Sequence, residues 1–201
     1  MLTPRSLHVS LSLSLGFALA ATGFAQAQTS PTQTSSAPAA SASVPKIVDQ
    51  ASFTVVGVTV RTNNAKEAGG QGEIPQLWQS AMQNGTLEQI PNKAGDGLVV
   101  VYSDYASDHT GDYNYTLGYK VTSADKIPDG MVAKTIPAGR YAVLTSAQGP
   151  PQEVIAALWQ RINSMTPQQL GGVRAYKDDF ETYGELTDFS SMQMTAHLGL
   201  R

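Results

Sequence analysis

The sequence feature that most constrains the fold of this chain is an internal repeat. The pattern I-x-x-L-W-Q occurs at residues 74–79 and again, 81 residues later, at residues 155–160. Leu117-Gly118 and Leu198-Gly199 are separated by the same 81 residues, and residues 99–104 and 173–178 form a third likeness with an offset of 74. Three likenesses in the same order predict a duplicated supersecondary unit.

Each copy of the unit has the pattern strand–helix–strand–strand. The first copy predicts strands over residues 53–60, 98–105 and 113–121, with a helix from Ile74 to before Gly85. The second predicts a strand over 131–144 interrupted at 137–139, a helix over 152–165, and strands over 173–183 and 191–200. Both helices carry apolar residues at the spacing of one helical face.

Two such units predict an α+β fold, with duplicated strand–helix–strand–strand units forming one antiparallel sheet and two helices on one face. No predicted helix covers the opposite face. We therefore expect that face either to be solvated or to form a ligand cleft.

The N-terminus has the three parts of an export signal. Arg5 supplies a positive charge, residues 9–24 are apolar and uncharged, and Ala25-Gln26-Ala27 places small residues at a cleavage site. The sequence predicts a signal peptide over residues 1–27, cleaved after Ala27, and hence a periplasmic or secreted protein without a membrane span. An uncleaved anchor is the alternative.

The composition of the remaining chain predicts a linker and a domain. Residues 28–45 are predicted to form a flexible Ser/Thr/Ala/Pro linker, and residues 46–201 are predicted to form one folded domain.

Composition excludes several function classes. The chain has no cysteine, which rules out disulfides, thiol chemistry and cysteine-ligated metals. Its 16 acidic residues outnumber 13 basic ones and no run of Lys or Arg occurs, which argues against a nucleic-acid partner. No H-x-x-x-H or G-x-S-x-G motif is present, so we expect no metal, no cofactor and no serine-hydrolase triad.

Six short motifs in a fixed order resemble the gyrase-inhibitor-like (GyrI-like) small-molecule-binding domain. This domain also serves as the effector-binding module of AraC-type and MerR-type regulators. The motifs are I-P-x-L-W at 74–78, V-Y-S-D-Y at 101–105, Y-x-Y-x-L-G at 113–118, I-P-A-G-R-Y-A-V at 136–143, L-W at 158–159 and F-E-x-Y at 180–183. The resemblance covers residues 52–201, and the chain departs from the regulators in carrying an export signal and no helix-turn-helix segment.

The resemblance implies a pseudo-twofold pair of units with a cleft between them for lipophilic, often cationic, aromatic molecules. It also implies that Glu181, the acid of F-E-x-Y, lies at the floor of the cleft. Some members of the family are hydrolases that open strained cyclopropane rings with that glutamate.

Alternation along the strand that contains Glu181 supports this assignment. If Phe180 packs against the helices, Glu181 and Tyr183 face the cleft. A carboxylate among aromatic rings suits an organic cation, because the rings attract the cation and the acid provides the countercharge. The alternative is a surface pair of Glu181 with Arg174 or Lys177. Asp178, Asp179 and Glu185 are expected to be solvated.

The aromatic residues give the remaining candidates for the site. We expect Tyr105, Tyr113, Tyr115 and Tyr183 to form its walls, although aromatic residues on strands also serve sheet packing. Trp78 and Trp159 are equivalent in the repeat, and Trp78 is predicted to reach the cleft because its motif matches the family better.

The sequence therefore predicts an exported, stand-alone binding protein that captures lipophilic or cationic aromatic molecules. An interaction module of the cell envelope, using the open sheet face, is the second hypothesis. A hydrolase of strained small molecules that uses Glu181 is the third.

Overall fold

The computed structural model describes residues 44–184 and 191–201. The predicted signal peptide, nearly all of the predicted linker and the turn residue Glu185 lie outside the described residues. Within these ranges, the strands are Lys46–Gln50 (β1), Phe53–Thr62 (β2), Lys93–Ser103 (β3), Tyr113–Val121 (β4), Val132–Ile136 (β5), Gly139–Thr145 (β6), Asp178–Tyr183 (β7) and Met194–Gly199 (β8). The helices are Asn64–Ala68 (α1), Ile74–Gln83 (α2), Pro151–Ser164 (α3) and Pro167–Leu170 (α4), with a 3-10 turn at Thr86–Gln89.

The strands form one sheet in the order β1-β6-β8-β7-β3-β4-β2-β5, and every neighbouring pair is antiparallel. The predicted α+β class and the duplicated unit are confirmed: β2-α2-β3-β4 is followed by β6-α3-β7-β8. The two copies meet where β3 pairs with β7. There Val100 lies directly opposite Glu181, so this carboxylate belongs to the centre of the sheet.

Each unit also lends one edge strand to the other. β1 precedes β2 in the chain but pairs with β6, whereas β5 precedes β6 but pairs with β2. The predicted strand over residues 131–144 is therefore two strands at different places in the sheet. The sequence likeness between residues 99–104 and 173–178 does not correspond to equivalent structure. Residues 99–103 lie in β3, whereas residues 173–177 precede β7.

The helices begin where the sequence predicts. Pro75 and Pro151 stand in the first turns of α2 and α3, where a missing N–H costs no helical hydrogen bond. After α2, Gly85 adopts the left-handed conformation with φ 60°, which glycine tolerates best. The buried stripe of α3 is Val154, Leu158 and Ile162, and these residues pack against the sheet.

The helix-free face of the sheet is closed by the sheet itself. Phe53 of β2 and Phe180 of β7 are separated by two strands, yet their ring centroids are 5.1 Å apart. Lys134 of β5 similarly reaches Asp178 of β7, at 3.1 Å. These contacts require a strongly curled sheet, because flat strands lie about 4.8 Å from their neighbours.

The curl corrects one prediction about the orientation of β7. Phe180 does not pack against the helices: it lies in a second small core, 3% exposed, with Tyr141 and Val101 on the helix-free face. Glu181 and Tyr183 point the other way, toward the helices.

No helix within the described ranges has the length and apolar character needed to cross a membrane.

Candidate functional site

A cavity of about 370 Å³ lies on the helix side of the sheet. Tyr102, Tyr105 and Tyr113 line it from the sheet. Ile74 of α2 lines one flank, and Ile155 and Trp159 of α3 line the other. The cleft is therefore between the helices and not on the helix-free face, where it was expected. The prediction was wrong because the curled sheet fills that face with its own side chains.

Glu181 lies fully buried among the aromatic side chains of this region. Its Oε1 accepts hydrogen bonds from the Trp159 indole at 2.5 Å and from the Tyr102 hydroxyl at 3.0 Å. Its Oε2 accepts from the Tyr183 hydroxyl at 2.6 Å. Within residues 44–184 and 191–201, no basic side chain bonds to this carboxylate. A buried acid held only by neutral donors lacks a countercharge.

Burial and hydrogen bonding act on the Glu181 carboxyl in opposite directions. Desolvation raises its pKa, and the three hydrogen bonds partly offset that rise because they favour the ionised form. Burial, together with the charge of Glu181, raises the pKa of Tyr102 and Tyr183 well above the ordinary value. These hydroxyls therefore stay protonated and act as donors.

A second acidic side chain, Asp179, lies two residues before Glu181 on the same face of β7. Asp179 is fully buried, which contradicts the prediction that it is solvated. Its Oδ2 accepts from Arg174 Nη2 at 2.7 Å and Nε at 2.9 Å, and from the Tyr105 hydroxyl at 3.0 Å. Its Oδ1 accepts from the Gly199 amide at 2.8 Å. Arg174 thus pairs with Asp179 and not with Glu181.

Arg174 lines the cavity between aromatic rings. Its guanidinium carbon lies 4.5 Å from the ring centroid of Tyr176 and 5.3 Å from that of Trp159. Burial lowers the pKa of Arg174, but the adjacent Asp179 outweighs that effect and leaves the pKa raised. The guanidinium is therefore a fixed positive charge at the cavity wall.

Part of the cavity lining is polar. Asn64 and Glu67 of α1 line the cavity together with His109, which lies in the loop between β3 and β4. Asn64 connects these parts, because it donates to the His109 carbonyl at 2.8 Å and accepts from the Tyr113 hydroxyl at 3.0 Å. Within the described part of the chain, no group of three or more acidic, His or Cys side chains is placed to hold a metal ion.

The structure divides the predicted site residues into two sets. Tyr105 and Tyr113 line the cavity. Glu181, Tyr183, Tyr115 and Trp78 are packed around it: the first three are at most 3% exposed, and Trp78 is partly buried.

The two tryptophans exchange the roles that the sequence predicted. Trp159 lines the cavity and donates to Glu181. Trp78 instead donates to the Tyr115 hydroxyl at 2.7 Å and packs edge-on against Tyr183 at 5.5 Å. The motif around Trp78 matches the family better, but this match did not predict which tryptophan lines the cavity. The Glu181 carboxylate belongs to the second repeat only, and it lies near α3, the helix that carries Trp159.

Sequence reasoning missed Tyr102 and Arg174. Tyr102 lies in the V-Y-S-D-Y motif, and its register opposite Asp179 puts it on the same face as Glu181. The motif marked Tyr102 as a candidate, but only the strand register shows that its side chain lies on the face of the sheet that lines the cavity. Arg174 lies outside any strand, and no periodicity marks it.

Comparison with known proteins places this geometry in a family. The family model described as "Cass2: Integron-associated effector binding protein" matches residues 46–197, which is most of the chain. This chain belongs to the Cass2 family. The match begins at the first residue of β1 and ends within β8, and it includes every residue that lines the cavity. The cavity therefore lies within a Cass2 effector-binding domain.

Curated relatives of this Cass2-family chain are found in bacteria. The protein YobU of Bacillus subtilis is 28% identical over 130 residues, which cover 64% of this chain and 79% of YobU. The transcriptional regulator BrlR of Pseudomonas aeruginosa is 29% identical over 140 residues, which cover 70% of this chain and 48% of BrlR. The match therefore spans about half of the length of BrlR.

Solved structures show the same fold. The integron cassette protein VCH_CASS2 from the mobile metagenome of Vibrio cholerae has a TM-score of 0.61 at 22% identity, covering 78% of this chain and 95% of that chain. SAV2435, solved bound to tetraphenylphosphonium, has a TM-score of 0.63 at 18% identity, covering 78% of this chain and 93% of that chain.

Proposed function

We propose that this protein is an exported binding protein that captures lipophilic aromatic cations in the cavity between α2 and α3. The observation that carries the proposal is Glu181, a buried carboxylate with three neutral donors and no cationic partner among the described residues. Leaving a buried charge unpaired is costly, so a site that keeps one is suited to receive an opposite charge.

The aromatic residues between Glu181 and the cavity favour a cation over other ligands. Tyr102 and Trp159 line the cavity and donate to the Glu181 carboxylate, so their rings stand between the ligand and the charge. A cation over an aromatic face gains roughly 2 kcal/mol when it is desolvated. The carboxylate behind the rings strengthens this attraction, because the surroundings are apolar and screen charge poorly.

The solved relative supports the class of ligand. SAV2435 was determined with tetraphenylphosphonium, a lipophilic cation whose four phenyl rings shield its charge. The tyrosine and tryptophan walls of the cavity in this protein offer aromatic faces to a cation of that class.

Binding accounts for the site better than hydrolysis does. A general base has to reach the water that it activates. In this structure both oxygens of Glu181 already accept hydrogen bonds from aromatic donors, and the side chain is fully buried. Ligand binding also accounts for the site better than a role as a protein-interaction module does. The interaction hypothesis required an open sheet face, and the curled sheet closes that face.

The test is calorimetry with two ions of equal size and opposite charge, tetraphenylphosphonium and tetraphenylborate. We expect the phosphonium to bind at least about tenfold more tightly than the borate, equivalent to 1.4 kcal/mol. Replacement of Glu181 by Gln should remove that preference while the shape of the cavity is kept.

A charge-matched control separates the local charge from the net charge of the protein. Glu153→Gln removes one negative charge from the exposed first turn of α3 and should leave both affinities unchanged. The proposal is wrong if the unmodified protein does not bind tetraphenylphosphonium, or if Glu181→Gln binds it as tightly as the unmodified protein does.

Export has its own test. N-terminal sequencing of the protein recovered from the cell envelope or the medium should give Gln28 as the first residue, as the Ala25-Gln26-Ala27 site predicts. Recovery of the intact chain from the cytoplasm alone would contradict export while leaving the binding proposal in place.

A further inference from the structure

The guanidinium of Arg174 has unused donors at the cavity wall. Arginine carries five N–H donors. The Nε donor and those of Nη2 bond to Asp179 and to the Tyr105 hydroxyl. Nη1 makes no hydrogen bond within residues 44–184 and 191–201. Nη1 is not one of the buried atoms that lack a hydrogen bond in that part of the chain, which are Asp178 Oδ1 and His197 Nδ1, so it keeps some exposed surface.

The cavity is therefore the open side of Arg174. The side chain is only 7% exposed, and Arg174 is one of the residues that line the cavity. Asp179 lies behind it, fully buried and saturated with donors from Arg174, Tyr105 and the Gly199 amide. Asp179 holds the guanidinium in place, and Nη1 is left for a ligand.

Trp159 joins this positive group to the negative one. Its indole nitrogen donates to Glu181, and its ring centroid is 5.3 Å from the Arg174 guanidinium carbon. A ligand that packs against Trp159 thus has the Glu181 carboxylate behind one part of the wall and the Arg174 guanidinium on another part. A simple cation satisfies only the first of these groups.

We propose that the cavity selects ligands that carry both a positive and a negative charge. Such a ligand is an aromatic cation that bears a carboxylate or a similar anionic acceptor, and Arg174 binds the anionic group. This inference rests on the proposed cation site at Glu181 and adds a second recognition point to it. Arginine suits this role because its planar fork bonds a carboxylate through two parallel N–H groups, and Nη1 provides donors at a fixed position.

The experiment compares three rigid ligands of nearly equal shape on the purified protein. They are tetraphenylphosphonium, its derivative with a para-carboxylate on one ring, and the methyl ester of that derivative. We expect the carboxylate to bind about tenfold more tightly than the ester, the gain of one charge-assisted hydrogen bond. Equal affinity for the carboxylate and the ester overturns the inference.

Variants assign the preference to Arg174. Arg174→Gln combined with Asp179→Asn removes both members of the buried pair, so no unpaired charge is left. This double variant should bind the two derivatives equally. Arg174→Lys keeps the charge beside Asp179 but lacks Nη1; it should reduce the preference, and it provides the test if the double variant does not fold. Arg140→Gln, at an exposed position of β6, should keep the full preference.

The outcomes distinguish this inference from the function on which it rests. If tetraphenylphosphonium binds and the carboxylate brings no gain, cation capture stands and the role of Arg174 is wrong. If only the carboxylate derivative binds, the role of Arg174 is supported and capture of simple cations is wrong. If none of the three binds, or if the preference survives in the double variant, the inference fails.

Discussion

Glu181 occupies a position in the sheet at which its cross-strand partner is the apolar Val100. Both side chains are fully buried. An acid at such a position does not contribute to packing, and its desolvation raises its pKa. The aromatic donors around it satisfy its hydrogen bonds but leave its charge unpaired. Under the proposed function, this position serves the binding of a ligand at the expense of stability.

Exchange of one tryptophan tests the cavity wall directly. Trp159→Phe keeps an aromatic ring but removes the indole donor to Glu181, so tetraphenylphosphonium should bind about tenfold more weakly. Trp78→Phe, the same change at the equivalent position of the other repeat, should leave the affinity within about twofold, because Trp78 bonds to Tyr115 instead. Tryptophan fluorescence and calorimetry give both values, and equal losses in the two variants would contradict the assignment.

A half-buried histidine on the helix-free face of the sheet predicts a pH effect on stability. His197 stacks on Phe180 with the ring centroids 4.2 Å apart, and burial lowers its pKa to about 4. The unfolded chain has the ordinary value near 6.5, so it binds the proton more readily than the native state does. The contribution of the neutral His197 to stability is therefore fully present above about pH 6.5, and it is lost as the pH falls toward about 4.

The size of this effect follows from the shift. The loss attributable to His197 should be about 2 kcal/mol, after a discount for its partial exposure. His197→Phe keeps the stacking but cannot bind a proton, so its free energy of unfolding in urea should fall less between pH 7 and pH 4.5. Parallel curves for the two proteins would show that His197 does not contribute.

At the scale of the elements, β2 and β4 approach each other closely at a pair of glycines. Gly57 lies opposite Gly118 in the register, and a Cβ at either position would overlap the backbone of the facing strand. Neither glycine has a positive φ, so space rather than backbone conformation requires a glycine there.

Substitution at the glycine pair tests this explanation. Gly118→Ala should lower the free energy of unfolding by about 2 kcal/mol or more, because the added methyl meets the carbonyl of Val56. Gly184→Ala is the control: a Cβ there meets no atom of residues 44–184 and 191–201 within 4 Å, and the change should stay within about 0.5 kcal/mol. Thermal and urea unfolding of both variants provide the comparison, and an unaffected Gly118→Ala would refute the steric argument.

At the scale of the whole molecule, the exchanged edge strands tie the two repeats together. β1 belongs to the first unit in sequence but covers the edge of β6 in the second, and β5 does the reverse for β2. Val48 of β1 also packs against the small core around Phe180. Neither unit completes its own sheet, so the domain should unfold as one cooperative body.

Removal of β1 tests that coupling. A chain that begins at Ser52 loses the five paired positions between β1 and β6 and exposes the β6 edge. It should lose at least about 2 kcal/mol in free energy of unfolding relative to a chain that begins at Val44. Calorimetry should show one transition for both chains. Equal melting temperatures would mean that β1 adds nothing to the second unit.

The sequence by itself determined the helix and strands that each repeat shares, but not β1, α1 or α4, which were not predicted. Helical spacing around Trp78 and Trp159 and alternation along the strands predicted both long helices, the α+β class and the duplicated unit, because these patterns depend on neighbours in the chain. The family motifs singled out Glu181. Of the four tyrosines predicted to form the walls of the site, Tyr105 and Tyr113 line the cavity. The predicted signal peptide and linker remain predictions from local composition.

Only the tertiary structure decided on which face the cavity lies and which side chains meet in it. The curl of the sheet, which brings Phe53 against Phe180, closed the face that had been predicted to be open. The folded structure also places Trp159 rather than Trp78 beside the carboxylate, and it buries Asp179 with Arg174. Curl and strand register are set by contacts between residues far apart in the chain. No local periodicity encodes them, which is why these partners became known only from the folded molecule.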